Sequence, residues 1–278
     1  MIVDGRAIAG EIKEGLKAEV ARRDTPPTLF VFMAGENMVS EKFLGVKERF
    51  AHDIGIPVLK KHFPGDVDTL HLAAEIAEIA QGSDCGIIVQ LPLPSALNTK
   101  EVLDVIPPHM DPDMLSSSSM MMFENGRAKI LPPVTAAIAE ILQREHVVIK
   151  DKNVVIIGKG RLVGAPAAVW FRHQGGNVEV LDSKTLDIGE YTRNADIIVT
   201  GVGKAGLLTP EIIKDGVVIL DAATSEASGK LAGDADPACA SKASVFTPVP
   251  GGIGPITVAM LYKNLLILTR GQSRAILP

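Results

Sequence analysis

Ser40, Phe43 and Lys47 fall at i, i+3 and i+7, a spacing that places them along one face of a helix. Leu44 and Phe50 occupy the buried face of the same stretch, so the pattern can aim an ammonium toward apolar neighbours. Desolvation penalises a charged amine, and a lysine so placed can carry a proton to or from a substrate. The spacing equally fits a lysine that snorkels to water or pairs at the surface. Gln90 closes an apolar run just before Leu91 and Pro92, and strand carboxyl ends in open α/β sheets face the ligand crevice. Asp113, in Asp111-Pro112-Asp113, stands at the mouth of an irregular stretch. Each of these side chains, taken singly, also fits a structural role.

Two loops carry a second kind of chemistry. Gly158-Lys159-Gly160 with Gly164 reads G-x-G-x-x-x-G, one residue longer than the usual dinucleotide fingerprint. It follows an apolar run of strand length and opens a helix. Glycines there permit a tight turn and close approach of a pyrophosphate to the positive helix terminus. A plain structural turn is the alternative. Asp182 comes 24 residues after Gly158, at the end of the next strand. A carboxylate there bonds ribose hydroxyls and repels a 2′-phosphate, which favours NAD. Lys159 and Lys184 pull the other way, toward NADP. The segment 247–257 holds three prolines and three glycines. Proline fixes φ and glycine permits φ > 0, so this loop has a specified shape and presents backbone to a ligand, or else is a rigid turn.

The elements that must hold these groups alternate. Asp4 caps a helix over Arg6–Arg23 with Ile8, Ile12, Leu16 and Val20 on one face. Strands are expected at Thr28–Ala34, Ile56–Phe63 and Cys85–Leu91. Helices are expected at Ser40–Asp53, at Thr69–Ala80 with Leu70, Ala73, Ile76 and Ala77 inward, and at Thr99–Ile106. This βαβ rhythm implies a parallel sheet covered by helices. Residues 107–131 read as irregular, with Ser116 to Ser119 as loop and Met120, Met121 and Met122 filling a gap. After a helix at Thr135–Gln143 the rhythm restarts: strands at Asn153–Ile157, Asn177–Leu181, Ala195–Val199, Val217–Leu220 and Val245–Phe246. A helix at Ala165–His173 has Pro166 at its first turn. A last helix covers Thr257–Thr269.

The chain has 278 residues, 46% of them hydrophobic and 22% charged, which suits about two globular domains. A net charge of −5 and no Lys/Arg cluster argue against nucleic acid. No run reaches the length of a membrane span and the start lacks a signal-peptide shape. Cys85 and Cys239 are far apart, Cys85 in an apolar run, which fits a reducing compartment and a cytoplasmic protein. No His/Cys cluster has ligand spacing, so no metal is expected.

Taken in order, Ser40-x-x-Phe43-x-x-x-Lys47, Val89-Gln90-Leu91-Pro92-Leu93-Pro94, Asp111-x-Asp113, Gly158-x-x-x-x-Val163-Gly164-Ala165-Pro166 and Pro248-Val249-Pro250-Gly251-Gly252-Ile253-Gly254-Pro255 resemble the bifunctional methylenetetrahydrofolate dehydrogenase/methenyltetrahydrofolate cyclohydrolase family. The opening Asp4-Gly5-Arg6-Ala7-Ile8-Ala9 looks like that family's start. The resemblance implies an N-terminal α/β catalytic domain (1–136 and 256–278) and a Rossmann-type parallel-sheet nucleotide domain (137–255), the C-terminal helix returning to the first domain. It implies NAD(P)-dependent oxidation of methylenetetrahydrofolate in a cleft between the domains, then hydrolysis of the methenyl product, by a homodimer joined through its nucleotide domains. By position, Lys47 would be the central catalytic group, Gln90 would orient it, and Asp113 would accept hydrogen bonds from the pterin. Ser40, Phe43, Leu91, Pro92, Pro250, Gly251 and Gly252 would line the folate site. Gly158, Lys159, Gly160, Arg161, Val163, Gly164, Asp182, Ser183 and Lys184 would hold the cofactor, NADP by family default or NAD by Asp182.

The chain departs from the family pattern in places. Phe43 replaces a tyrosine, which keeps a ring for stacking but removes a hydroxyl near Lys47. Met114 replaces a glycine, Ser116–Ser119 replace a histidine- or asparagine-bearing stretch, and Val134 replaces a threonine. All lie near the expected folate pocket. Dehydrogenase activity alone, with hydrolysis weakened by Phe43, is therefore one alternative. A nucleotide-binding paralogue without catalysis is another, disfavoured by the joint retention of Lys47, Gln90 and Asp113.

Overall fold

The computed structural model describes residues 1–36, 38–82, 84–223, 225–227 and 230–270, without the side chains of 38–40, 43, 225–227 and 230. The expected places of Ser40 and Phe43 on their helix therefore lie outside the described side chains. The chain divides into two compact units, one of Gly10–Pro133 with Val258–Pro278, the other of Met1–Ala9 with Val134–Thr257.

The first unit is built from α1 (Gly5–Val20) from Gly10 on, β1 (Thr28–Ala34), α2 (Met38–Ile54), β2 (Val58–Phe63), α3 (Thr69–Ile79), β3 (Cys85–Val89), α4 (Thr99–Asp104) and α5 (Ser117–Glu124). Asp4 caps α1, its carboxylate accepting the backbone N–H groups of Arg6 and Ala7. The three strands form a parallel sheet in the order β2-β1-β3, with Phe32 opposite Val89. Alternation along β1 sends Leu29, Val31 and Met33 into a core with Leu16, Leu44 and Ile54, and Phe32 and Ala34 into another with Leu72, Ile76 and Ile87. Both faces are covered, which is why β1 and β3 read as unbroken apolar runs rather than alternating ones.

Local expectations failed at three places here. Leu70 is 72% exposed and Leu72 takes its place inward, beside Ala73 and Ile76. Ser116–Ser119 are not loop: Ser116 caps α5 and accepts the Ser119 N–H, a helix start hidden by the serine run. Met121 and Met122 fill no gap, being 62% and 38% exposed, while Phe123 anchors α5 in the core.

The second unit holds α6 (Pro133–Arg144), β4 (Asn153–Ile157), α7 (Gly164–His173), β5 (Asn177–Leu181), α8 (Gly189–Thr192), β6 (Ile197–Thr200), β7 (Val218–Asp221), the hairpin β8 (Ser225–Ala227) and β9 (Lys230–Ala232), and β10 (Val245–Phe246). Its five-stranded sheet runs β5-β4-β6-β7-β10, all parallel. The order reverses between β4 and β6, a switch point where such sheets bind ligands at the strand carboxyl ends. Residues 1–9, expected in the first domain, pack in this unit instead: Val3 donates its N–H to the Phe246 carbonyl, and Ile2 bridges Phe246. A bridge to the sheet edge uses backbone alone, so no side-chain pattern announces it. The short β8–β9 hairpin also went unexpected.

The last helix, α9 (Ile253–Leu268), starts four residues earlier than the Thr257 expected, taking Pro255 into its first turn, where a missing N–H leaves no bond unmade. From Val258 on it belongs to the first unit, with Leu261, Tyr262, Leu265 and Leu266 in the core beside Leu16 and Leu44. Among the described residues no helix is long and apolar enough to cross a membrane.

Candidate functional site

In the first unit, α2 carries Lys47 and the end of β3 carries Gln90. The Gln90 N–H continues the ladder to the Phe32 carbonyl at 2.9 Å, which fixes its backbone. Its side-chain amide donates to the Leu91 carbonyl at 3.0 Å, which turns Oε1 outward, and Lys47 Nζ donates to that oxygen at 3.2 Å. Both side chains are half-buried. Leu91 and Pro92, joined by a cis peptide, begin the loop that follows.

The turn bearing Asp113 is held from several sides. Asp111 is buried and accepts the N–H groups of Leu115 and Ser116 and the Ser116 hydroxyl, at 3.1, 2.9 and 2.7 Å. Burial raises its carboxyl above the ordinary value, against the pull of those bonds. Met114, where glycine was the family expectation, adopts φ +55°. The left-handed conformation is kept although a side chain is present, and the Asp111 bonds to the next two residues compensate the strain. On the other side Asn264, buried in α9, donates to the Pro112 and Leu131 carbonyls at 2.9 and 2.8 Å. Gly86 on β3 makes room for this packing, since a Cβ there would meet Leu265 at 2.6 Å and Pro112 at 3.2 Å. Tyr262, fully buried, donates its hydroxyl to the Lys47 carbonyl at 2.8 Å and stacks on Phe50 with centroids 5.4 Å apart. Burial raises its phenol well above the ordinary value.

In the second unit, the turn after β4 matches a dinucleotide cradle. Gly158 has φ +94°, and a Cβ on Gly164 would lie 1.9 Å from the Gly158 carbonyl oxygen. Backbone therefore touches backbone where the turn enters α7, and only glycine allows it. A Cβ on Gly160 would meet no protein atom within 4 Å. Lys159, Gly160 and Arg161 are exposed, and Val163 fills the space beside Gly201 on the neighbouring strand end. Asp182 accepts Lys159 Nζ at 2.6 Å and the Lys184 N–H at 2.9 Å. The lysine bond, above all, holds its carboxyl below the ordinary value. Ser183 and Lys184 are exposed beside it.

The loop after β6 was missed as part of this site. Asp234 is fully buried and accepts the Thr200 hydroxyl and the Val202 and Lys204 N–H groups, at 2.5, 2.8 and 2.6 Å. That ties Gly201-Val202-Gly203 down at the switch point. Asp221 ends β7, accepts the Ala223 and Ala235 N–H groups, and has its carboxyl pushed up to about 6, chiefly by burial. A carboxylate at a strand end was the available signal for Asp221; Asp234 lay in a stretch with none. The Pro250-Gly251-Gly252 bend, also with a cis peptide at Val249-Pro250, closes on a Gly252 N–H to Pro248 carbonyl bond of 2.8 Å, with Gly251 at φ +107°.

The family models for the tetrahydrofolate dehydrogenase/cyclohydrolase catalytic domain and NAD(P)-binding domain match residues 3–113 and 132–273. The chain belongs to the tetrahydrofolate dehydrogenase/cyclohydrolase family. It is 37% identical over 276 residues to the bifunctional protein FolD of Lactobacillus gasseri, covering 98% of each chain. Among solved structures of the family it is similar to the FolD methylenetetrahydrofolate dehydrogenase/cyclohydrolase of Campylobacter jejuni, at TM-score 0.93 and 31% identity over 97% of this chain and 98% of that one. It matches the Trypanosoma brucei FolD, crystallised with NADP and an inhibitor, equally well, at TM-score 0.93 and 31% identity over 99% of both chains. The family's two-part α/β architecture is thus the fold of this chain. Among the described residues no group of three or more His, Cys, Asp or Glu is arranged to hold a metal ion.

Proposed function

We propose that this chain oxidises methylenetetrahydrofolate to methenyltetrahydrofolate and then hydrolyses that product to formyltetrahydrofolate. The observation that carries the reading is the Lys47–Gln90 hydrogen bond at the carboxyl end of β3, in a chain that the family's models match over residues 3–113 and 132–273. A nicotinamide dinucleotide, when bound, accepts the hydride that leaves the methylene carbon. Water then adds its oxygen to the methenyl carbon, a C–N bond breaks, and one proton is released. Lys47 is the group we assign to move protons in these steps, at Nζ, with Gln90 orienting it. Asp113 receives hydrogen bonds from the pterin. Ser40, Phe43, Leu91, Pro92, Pro250, Gly251 and Gly252 contact the folate.

Gly158, Lys159, Gly160, Arg161, Val163, Gly164, Asp182, Ser183 and Lys184 hold the dinucleotide. Lys47, Gln90 and Asp113 belong to the unit built on Gly10–Pro133, and the dinucleotide residues to that built on Val134–Thr257. NAD is the preferred form, because the Asp182 carboxylate would sit against a 2′-phosphate and already engages the nearest cation, Lys159. The cellular form in this reading is a cytoplasmic homodimer acting on a small folate; the two buried free thiols, Cys85 and Cys239, suit a reducing compartment.

Mixing the protein with methylenetetrahydrofolate and NAD⁺ or NADP⁺, and following the reduced nicotinamide and methenyl absorbances, tests the reading. No turnover with either cofactor overturns it. With Lys47→Ala, methenyl hydrolysis at the full rate would remove Lys47 from the mechanism.

A further inference from the structure

We infer that the C-terminal helix positions both reactive groups of the folate half: Tyr262 is a positioning residue for Lys47, and Asn264 for Asp113. The inference rests on the folate reading of those two side chains.

Tyr262 acts on backbone. Inside a helix a carbonyl ordinarily accepts only the N–H four residues on. The Lys47 carbonyl also accepts the Tyr262 hydroxyl at 2.8 Å. The phenol cannot swing away, because its ring is fully buried and stacked within 10° of parallel on Phe50. The turn of α2 from which Lys47 projects is thereby referenced to α9. The phenol does not replace the hydroxyl missing at Phe43, since it is spent on a carbonyl and burial keeps its proton on.

Asn264 is 4% exposed and spends both amide hydrogens, one on Pro112 and one on Leu131. The Pro112 carbonyl belongs to the peptide plane from which Asp113 departs, so its direction sets where the Asp113 side chain begins. The Met114 N–H, in the peptide that follows Asp113, donates to the Asp111 carbonyl at 3.2 Å. Asp113 is thus held at both neighbours, and on the Pro112 side the restraint comes from Asn264. Two residues apart on one helix, Tyr262 and Asn264 set the spacing between a proton carrier and a pterin anchor, which proximity effects make important.

The two substitutions should leave different kinetic signatures. Tyr262→Phe keeps the ring and its stacking, and should lower kcat for methenyl hydrolysis about 3- to 10-fold, the worth of one hydrogen bond, with KM within about twofold. Asn264→Ser retains one donor for two carbonyls and should raise KM for methylenetetrahydrofolate about 10-fold with little change in kcat. Leu16→Ala, in the same core but away from both groups, supplies a control for loss of stability, with melting temperatures measured on all three. Separation of the kcat and KM effects, absent from Leu16→Ala, supports the inference. Unchanged hydrolysis in Tyr262→Phe, unchanged KM in Asn264→Ser, or the same pattern in Leu16→Ala overturns it. An inactive parent protein would overturn the folate reading itself, a result separate from these.

Discussion

Gly164→Ala is the sharpest perturbation of the nucleotide half. A Cβ built there stands 1.9 Å from the Gly158 carbonyl oxygen and 2.7 Å from its carbon, where real contacts do not fall below 3.0 Å. Both partners are backbone, so no side chain can rotate away; the Gly158–Gly160 turn and the start of α7 must separate by about 1 Å. Overpacking of this kind costs roughly 1–3 kcal/mol even where side chains can adjust, and the absence of any that can puts this one near the upper figure. A loss of about 3 kcal/mol corresponds to a melting temperature lower by about 10 °C in a unit of this size. A misplacement of about 1 Å also weakens a fitted site on the order of 100-fold. Trp170, the sole tryptophan of the chain, is buried in α7. Energy transfer from it to NADH reports binding beside the altered helix.

Two comparisons make the reasoning refutable. Gly160→Ala meets no protein atom within 4 Å and should melt at or slightly above the parent's temperature. Methenyl hydrolysis, which consumes no nucleotide, should survive Gly164→Ala at temperatures where the variant is folded. Parental NADH affinity in folded Gly164→Ala, or an equal fall of melting temperature in Gly160→Ala, would refute the reasoning.

Asp182→Ser should shift kcat/KM from NAD⁺ toward NADP⁺ by about tenfold or more, as Lys159 is freed to meet a phosphate; steady-state rates with both cofactors decide it, and no shift removes Asp182 from cofactor choice. Asp221 has its carboxyl raised from the ordinary 3.8 to about 6, so the folded state binds the proton more tightly than the unfolded one. Its burial therefore destabilises the fold above pH 6 by roughly 3 kcal/mol, a loss relieved as pH falls through 6 toward 4. The melting temperature of the parent relative to Asp221→Asn should rise between pH 7 and pH 5, and a fall would contradict the sign. Phe43→Tyr should raise methenyl hydrolysis several-fold more than dehydrogenation; equal rates with and without the hydroxyl would sink that expectation.

What was legible follows from how each feature is encoded. Thr28–Ala34, Asn153–Ile157 and Asn177–Leu181 were expected at the bounds observed, because a parallel strand in a helix-covered sheet is a short apolar run closed by a breaker. The glycine turn was legible because its demand is local: the clash that forces Gly164 is with the residue six before it. At Gly160 a Cβ would meet no protein atom within 4 Å, so a demand for glycine there comes from the ligand and not from the fold, and the packing does not announce it. The helix start at Ser116 was missed because a serine run offers several equivalent caps, and only the buried Asp111, which bonds Ser116, selects among them.

The partners of the reactive groups were beyond reach for a different reason. Tyr262 meets Lys47 across 215 residues of chain and Asn264 meets Pro112 across 152. In the sequence both residues sit inside an apolar helix, where a tyrosine reads as bulk and an asparagine as an exception. Asp234, which ties down the loop after β6, likewise bonds groups 30 or more residues away. Chemistry-bearing residues announce themselves by type and spacing, whereas the residues that aim them are ordinary in type and become distinct only once folding makes their polar atoms scarce and buried. An unpatterned polar side chain in a core helix is therefore the signal worth testing first: burial makes its unmet hydrogen bonds expensive, so its partners carry positional information. In α9 those partners are the backbone of Lys47 and the residue before Asp113.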